Sequence, residues 1–134
     1  MDERRFPRTI ASLDAIFATI AGFLREHGLD RGIAFDLDLI AEELFTNMVK
    51  YGGTGGDVGF ALTKDGDVVT MVFRDIGGPP YDVTLPRPLP GANTPLASLR
   101  PGGLGLHLVQ RIADGLDYRH DGRTGTITVT KRVR

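Results

Sequence analysis

The sequence predicts an α+β fold, a two-layer α/β sandwich in which helices cover one face of a mostly antiparallel sheet. The hydrophobic period is helical as far as Gly52 and becomes alternating from Val58. Glycine-containing turns at 64–67 and 121–123 each separate two β-rich runs, as in β-hairpins. A length of 134 residues is typical of one domain with one hydrophobic core, so residues 1–134 are predicted to form a single domain.

The N-terminal third predicts a weak strand followed by a helix. Arg4–Ile10 is predicted as a short edge strand, since Pro7 would interrupt a central one. Ser12 is the predicted N-cap of a helix that runs from Leu13 to about His27. Gly28 is expected to end that helix, and residues 29–34 are expected to form a short connection.

The strongest pattern is a predicted helix from Asp36 to Gly52. Its apolar stripe at helical spacing consists of Leu37, Ile40, Ala41, Leu44, Met48 and Tyr51. A second row flanks the stripe and consists of Asp36, Glu43, Asn47 and Lys50. We expect this row to be half-buried. Glu43 and Asn47 lie one turn apart, and their oxygens can accept a proton and hold a hard cation. The alternative is a solvated helix edge on which Glu43 pairs with Lys50.

The middle of the chain predicts a hairpin and then a long loop. Strands are expected over residues 58–63 and 68–74, the second nearly all apolar or β-branched and therefore central in the sheet. Val83–Pro101 has little periodicity and carries five prolines. A loop of this length is unusual in a compact domain and is often a lid or a binding loop. Glycine motifs on both sides favour a lid over a surface connector.

A glycine-rich segment then opens the last predicted helix. Gly102, Gly103 and Gly105 precede a helix that ends near Ala113 or Asp114, with Leu104, Leu108 and Ile112 expected to face the core. Strands are predicted over Leu116–His120 and Thr124–Val133.

Two segments of the sequence have features that favour nucleotide binding. A glycine-rich helix start presents unpaired N–H groups and the positive end of the helix dipole, which favour phosphate. The spacing is neither GxGxxG after a strand nor GxxxxGK[ST], which excludes a Rossmann fingerprint and a P-loop. Asp75, at a strand end and followed by glycine, can accept a hydrogen bond from an exocyclic amine; the alternative is an Asp that begins a turn.

The composition of the chain argues against several classes of function. A formal net charge of −1 gives no electrostatic case for nucleic acid or an acidic membrane. The absence of cysteine excludes disulfides and thiolate chemistry. The apolar runs are too short for a membrane span, and the charged N-terminus is unlike a signal peptide, so a cytoplasmic location is expected. The three histidines are scattered and do not suggest a metal site.

Three motifs occur in a specific order: ExxxN at Glu43–Asn47, DxGG at Asp75–Gly78, and GGLGL at Gly102–Leu106. Together they resemble the ATP-binding domain of the superfamily that includes gyrase, MutL and the sensor histidine kinases, the Bergerat fold. Within it, the size and the short lid are most similar to the anti-sigma factor serine/threonine kinases. The resemblance covers residues 12 to 131.

The resemblance implies roles for individual residues. Glu43 matches the general base, Asn47 the Mg²⁺ ligand and Asp75 the adenine-reading carboxylate, with Gly77 shaping the pocket. The phosphate-binding box would consist of Gly102, Gly103, Leu104, Gly105 and Leu106. Lys50 and Arg100 are candidate phosphate contacts. Thr128 resembles a threonine that supports the adenine, and Thr126 is its competitor.

The resemblance also implies a function. The protein would bind ATP and Mg²⁺, phosphorylate a serine of a STAS-type anti-anti-sigma partner and sequester a sigma factor or a similar target. Relatives are often homodimers, and no direct nucleic-acid contact is implied. Lys50-Tyr51-Gly52 departs from the family's usual His-Gly, and the prolines after Gly78 depart from its third glycine. The rival interpretation is therefore an ATP-binding module that sequesters its partner without phosphotransfer. An ATPase fragment of a larger sensor kinase ranks last, because no phospho-accepting histidine segment or coiled coil precedes the motifs.

Overall fold

A computed structural model describes residues 2–52, 56–85 and 103–133. The strands are β1 (Arg4–Pro7), β2 (Asp57–Asp65), β3 (Val68–Ile76), β4 (Gly115–His120) and β5 (Thr124–Arg132). The helices are α1 (Leu13–His27), α2 (Arg31–Tyr51) and α3 (Gly103–Ile112), and one short 3₁₀ turn spans Ile10–Ser12. The fold is α+β, as the sequence predicts.

The strands form one antiparallel sheet in the order β1-β2-β3-β5-β4. β3 is central, and its register sets Asp75 opposite Gly125 and Phe73 opposite Ile127. Directly opposed residues of antiparallel strands point to the same face. Val69, Met71 and Phe73 of β3 are fully buried, whereas the alternate residues are only half-buried. One face of the sheet therefore lies under the helices, and Asp75 is on that face.

Helix α1 begins and ends where the sequence predicts, but Ser12 does not cap it with its side chain. Its hydroxyl instead donates to the carbonyl of Pro7 at 2.7 Å, and Ser12 itself has helical backbone angles. The preceding 3₁₀ turn continues directly into α1, so a side-chain cap is not required there. Gly28 ends the helix in the left-handed conformation, with φ of 64°.

Helix α2 begins earlier than the sequence analysis predicts. Asp30 is its N-cap and accepts a hydrogen bond from the backbone N–H of Ile33 at 3.1 Å. Residues 31–34, which were predicted to be a connection, are therefore the first turn of α2. An Asp cap outweighs the poor helix propensity of Gly32.

Helix α3 packs against α2 with a face that differs from the predicted one at Leu108 and agrees with it at Ile112. Leu106 and Val109 are fully buried, whereas Leu108 is 37% exposed. Ile112 is half-buried, and the side chain of Leu104 is outside the description. The buried residues of this face are Leu106 and Val109, and Ile112 and the following Ala113 pack against the core while partly buried.

Most of the predicted lid, Val83–Pro101, lies outside the described residues. Its first three residues are described, and Val83 is buried in the core. The side-chain amide of Gln110 donates to the carbonyls of Val83 and Leu85 at 2.8 and 2.7 Å. The beginning of this segment is thus attached to α3.

Candidate functional site

A pocket opens where the C-terminal half of α2 meets the ends of β3 and β4 and the start of β5. Its empty volume, which includes space open to solvent, is about 370 Å³. The residues that line it and carry polar or aromatic groups are Asn47, Tyr51, Asp75, Tyr81 and Tyr118. The predicted ExxxN and DxGG motifs therefore meet at one pocket.

Asn47 is the buried polar group of this pocket. Its side chain lies on α2 and is only 4% exposed, and its Nδ2 donates to the backbone carbonyl of Glu43 at 2.9 Å. Its Oδ1 is buried and has no hydrogen-bond partner among the residues that the structure describes. An unsatisfied buried acceptor is costly, so its retention beside a pocket suits a ligand.

The Asn47 Oδ1 atom fits a magnesium ion. Amide oxygens are hard ligands, and Mg²⁺ is usually held by one or two protein groups together with waters and substrate phosphates. Within the described ranges, no group of three or more His, Cys, Asp or Glu side chains could hold a metal. The protein part of such a site would therefore be small, as is typical where nucleotide phosphates supply the remaining ligands.

Glu43 lies one turn before Asn47, at the contact between α2 and α3. Its carboxylate lies against Gly105 so closely that a Cβ atom on Gly105 would overlap it. Burial raises the pKa of Glu43, the neighbouring charge of Glu42 raises it further, and the charge of Lys50 lowers it. A raised carboxyl pKa is typical of general bases that operate near neutral pH.

Asp75 forms a buried ion pair with Arg8, a residue that the sequence analysis did not select. The Arg8 Nε donates to Asp75 Oδ1 at 3.0 Å, and the exposed fractions of the two side chains are 3% and 14%. Burial raises the pKa of Asp75, whereas the charge and hydrogen bonds of Arg8 and the charge of His120 act to lower it. No spacing in the sequence predicts this pair, because its partners are far apart in the chain.

A glycine that was not among the predicted site residues, Gly78, lies directly beside the Asp75 carboxylate, and the role of Gly77 in shaping the pocket stays a prediction. Gly77 has φ of 78°, its N–H donates to the carbonyl of Arg123 at 2.9 Å, and a Cβ there would meet nothing within 4 Å. A Cβ on Gly78 would overlap the Asp75 carboxylate. Gly77 provides the turn that follows β3, and Gly78 provides the room beside Asp75.

Three tyrosines form the aromatic wall of the pocket. The rings of Tyr51 and Tyr81 stack with centroids 5.1 Å apart and planes 6° from parallel. The Tyr81 backbone N–H donates to the Tyr118 hydroxyl at 2.9 Å. The sequence analysis counted Tyr51 only as part of the core stripe. Its position one turn after Asn47 was the available signal, since residues four apart share a helix face.

Comparison with known proteins agrees with this geometry. The family model described as the histidine kinase-like ATPase domain matches residues 6–131, almost the whole chain. The chain belongs to the histidine kinase-like ATPase family. For this family ATP is the expected ligand, and the fold is that of a kinase-type ATPase. The search of curated proteins found no significant match.

Two solved structures share the ATPase fold. The RsbU and RsbW domains of Rv1364c from Mycobacterium tuberculosis match with a TM-score of 0.64 and 20% identity, covering 99% of this chain and 33% of that one. The Acinetobacter baumannii histidine kinase AdeS matches with a TM-score of 0.52 and 13% identity, covering 100% of this chain and 68% of that one. The present chain thus spans about a third of the length of the first structure.

The remaining candidate residues of this ATPase domain divide into three groups. Gly103 begins α3, and Leu106 is fully buried in the core, so only its backbone is available to a ligand. Lys50 is exposed on the last turn of α2 and does not line the pocket. Arg100 and Gly102 lie outside the described residues.

Thr128 is a correction. Ile127 and Gly125 line the pocket of the ATPase domain, and side chains alternate along a strand, so Thr128 and its competitor Thr126 point to the opposite face of β5. The register of β5 against β3 fixes this, because Ile127 lies opposite the buried Phe73. The alternation of Ile127 and Val129 with the threonines of β5 was the available signal, because the apolar residues of an alternating strand face the core.

None of the helices in the described part of the chain has the length and hydropathy that a membrane crossing requires.

Proposed function

We propose that this domain is an ATP-dependent serine/threonine protein kinase and anti-sigma-type regulator. It transfers the γ-phosphoryl group of ATP to a STAS-type anti-anti-sigma partner, and it sequesters a sigma factor or a similar target. The observation that supports this most strongly is the placement of Glu43. Its carboxylate lies against the first turn of α3 and one helical turn from Asn47, beside the pocket that contains Asp75.

In this proposal the adenine lies at Asp75 and the phosphates lie toward the start of α3. The N–H groups of the first turn of a helix have no intrahelical partner and favour anions. The path from Asp75 past Asn47 to Glu43 follows one face of α2, so base, phosphates and acceptor would be arranged along that helix. The tyrosine wall contributes apolar surface for the base.

Glu43 would act on the hydroxyl of the acceptor serine. The serine Oγ attacks the γ-phosphorus, the bond between that phosphorus and the β,γ-bridging oxygen breaks, and ADP leaves with that oxygen. The serine proton passes to the Glu43 carboxylate. The pKa of Glu43 is raised by burial, so its carboxylate is a better proton acceptor than an exposed one.

Asn47 Oδ1 would hold the magnesium ion. When bound, Mg²⁺ would neutralise phosphate charge that develops in a loose transition state. Asn47 is held in place by its hydrogen bond to the Glu43 carbonyl, so the metal ligand and the base are positioned by the same turn of α2.

The protein partners are inferred from the family resemblance and from the RsbW domain in the Mycobacterium tuberculosis structure. The alternative, a module that binds ATP and sequesters a partner without phosphotransfer, is favoured by Lys50. Its charge lowers the pKa of Glu43 and thus makes the carboxylate a weaker base.

One experiment tests the proposal. The purified chain is incubated with Mg·ATP and, in turn, with the STAS-domain proteins of its own genome, and phosphoserine or phosphothreonine is sought by mass spectrometry. Phosphorylation by the wild type and its loss in Glu43→Gln, with ATP binding retained, are expected. If a STAS protein binds the chain stably in ATP but no phosphate is transferred, the sequestering module replaces the kinase.

A further inference from the structure

The Arg8 side chain lies behind the pocket, in contact with two residues that line it, Asp75 and Gly52. It follows β1 and is almost fully buried, with 3% of its side chain exposed. Its Nε donates to Asp75 Oδ1 at 3.0 Å, and its Nη2 donates to the same oxygen and to the carbonyl of Ile76 at 2.9 Å. The guanidinium is therefore tied to both the side chain and the backbone at the end of β3.

Two glycines make room for this guanidinium. A Cβ on Gly52, at the end of α2, would lie 2.8 Å from the Arg8 Nε. A Cβ on Gly56 would lie 3.4 Å from Arg8 Nη1, and the carbonyl of Gly56 accepts from the Arg8 backbone N–H at 3.3 Å. Arg8 thus connects the N-terminal segment to the end of α2 and to the start of β2, on two sides of the pocket.

The two oxygens of the Asp75 carboxylate differ in their contacts. Arg8 occupies Oδ1, whereas no residue in the described ranges donates a hydrogen bond to Oδ2. Oδ2 lies beside Gly78, where the absence of a side chain leaves space. Two donors of the rigid guanidinium converge on Oδ1, and Nη2 also donates to the Ile76 carbonyl, so the position of Oδ1 is fixed relative to the backbone at the end of β3.

We propose that Arg8 is a positioning residue that sets purine specificity. It anchors Asp75 Oδ1, supplies the counter-charge that keeps the carboxylate ionised, and so keeps Oδ2 a hydrogen-bond acceptor for the 6-amino group of adenine. A 6-oxo purine presents an acceptor at the same place, so two acceptors would face each other without a proton between them. This inference rests on the proposed placement of adenine at Asp75.

The test compares two nucleotides that differ at the 6-position, ATP and inosine triphosphate. Their dissociation constants with Mg²⁺ are measured by calorimetry for the wild type, Arg8→Met and Arg8→Lys. Arg8→Met leaves a buried carboxylate without its counter-charge, which favours the protonated, donating form of Asp75. We expect the preference for ATP to fall by more than about tenfold in Arg8→Met, and Arg8→Lys to retain an intermediate preference.

Arg74→Met is the matched control, because Arg74 also pairs with a carboxylate, that of Glu3 at 2.8 Å, but is 39% exposed. It should leave the nucleotide preference unchanged. If Arg8 has only a structural role, its substitution weakens the binding of both nucleotides equally and leaves the ratio of their dissociation constants unchanged. If Arg8→Met does not fold, the ratio of the two dissociation constants in Arg8→Lys is compared with that of the wild type instead.

The outcomes separate this inference from the function on which it rests. An unchanged ratio in a folded Arg8 variant that still binds ATP overturns the role of Arg8 and leaves the ATP site intact. A wild-type protein that binds neither nucleotide overturns the proposed function, and the role of Arg8 with it.

Discussion

The carboxylate of Glu43 and the backbone of Gly105 are in such close contact that a Cβ atom on Gly105 would overlap the carboxylate where it now lies. One of these residues belongs to the ExxxN motif and the other to the GGLGL motif. Their contact joins α2 to the first turn of α3, so the candidate base and the candidate phosphate-binding turn are positioned by each other.

Gly105→Ala should therefore damage the site and the fold together. The new Cβ forces Glu43 away or displaces α3, and overpacking of this kind costs about 1–3 kcal/mol. We expect a lower melting temperature by circular dichroism and at least about a tenfold loss of phosphotransfer.

Gly22→Ala in α1 is the control for Gly105→Ala, since its Cβ would meet only the Arg25 side chain at 3.9 Å. Helix propensity then predicts a gain of about 0.5–1 kcal/mol. Equal stability of the two alanine variants would show that the Glu43–Gly105 contact does not constrain the helices.

The pH dependence of phosphotransfer should follow the neighbours of Glu43. The base acts in its ionised form, so activity is lost as pH falls through its pKa, which lies above the ordinary value of 4.5 for Glu. Lys50→Met removes a charge that lowers this pKa, so the acidic limb of the pH–rate profile should move to higher pH. Glu42→Gln removes a charge that raises it, so the limb should move to lower pH.

Rates measured across the acidic range check this pair of variants. At alkaline pH, where Glu43 is ionised in all three proteins, the rate of Glu42→Gln should equal that of the wild type. If the acidic limbs of the two variants' pH–rate profiles move in the same direction, or do not move, Glu43 is excluded as the titrating base.

Asn47→Ala should remove the magnesium dependence of nucleotide binding. The substitution deletes the buried Oδ1 acceptor, for which the described part of the chain supplies no hydrogen-bond donor. ATP binding is measured by calorimetry in Mg²⁺ and in EDTA. The variant is expected to bind equally in both, whereas the wild type and the neighbouring control Thr46→Ala should bind more tightly in Mg²⁺. A magnesium effect that survives in Asn47→Ala would place the metal elsewhere.

Tyr51 should contribute to affinity through its ring and not through its hydroxyl. Aromatic pairs are worth about 0.5–1.5 kcal/mol beyond burial, so Tyr51→Leu should weaken ATP binding by roughly two- to tenfold. Tyr51→Phe keeps the stack on Tyr81 and should bind like the wild type. If the leucine and phenylalanine variants bind ATP with equal affinity, the ring of Tyr51 does not contribute to nucleotide binding.

Local patterns predict most of this fold and part of its site. The 3.6-residue and alternating periods are set by burial on one face, so α1, α3 and all five strands are close to their predicted bounds. The start of α2 was missed because the Asp30 cap was not recognised. The core face of α3 was misassigned at Leu108, since Leu106 and Val109 are the residues of α3 that are fully buried.

The site shows the same division between local and long-range information. Glu43 and Asn47 are four residues apart, so helix geometry alone places them together. Arg8 and Asp75 are 67 residues apart, and only the pairing of β1 with β2 and of β2 with β3 brings them together. Thr128 lies on the face of β5 opposite the pocket, and the alternation of Ile127 and Val129 with the threonines carries that information locally.

The most direct test of the account is the binding of ATP with and without Mg²⁺ to the wild-type chain, measured by thermal shift and confirmed by calorimetry. A ligand that binds only the native state raises its stability by mass action, by about 2.7 kcal/mol at a hundred times its dissociation constant. The account predicts a clear rise in melting temperature with ATP that is larger when Mg²⁺ is present. An unchanged melting temperature at millimolar Mg·ATP would contradict it and leave a domain with this fold that does not use the nucleotide.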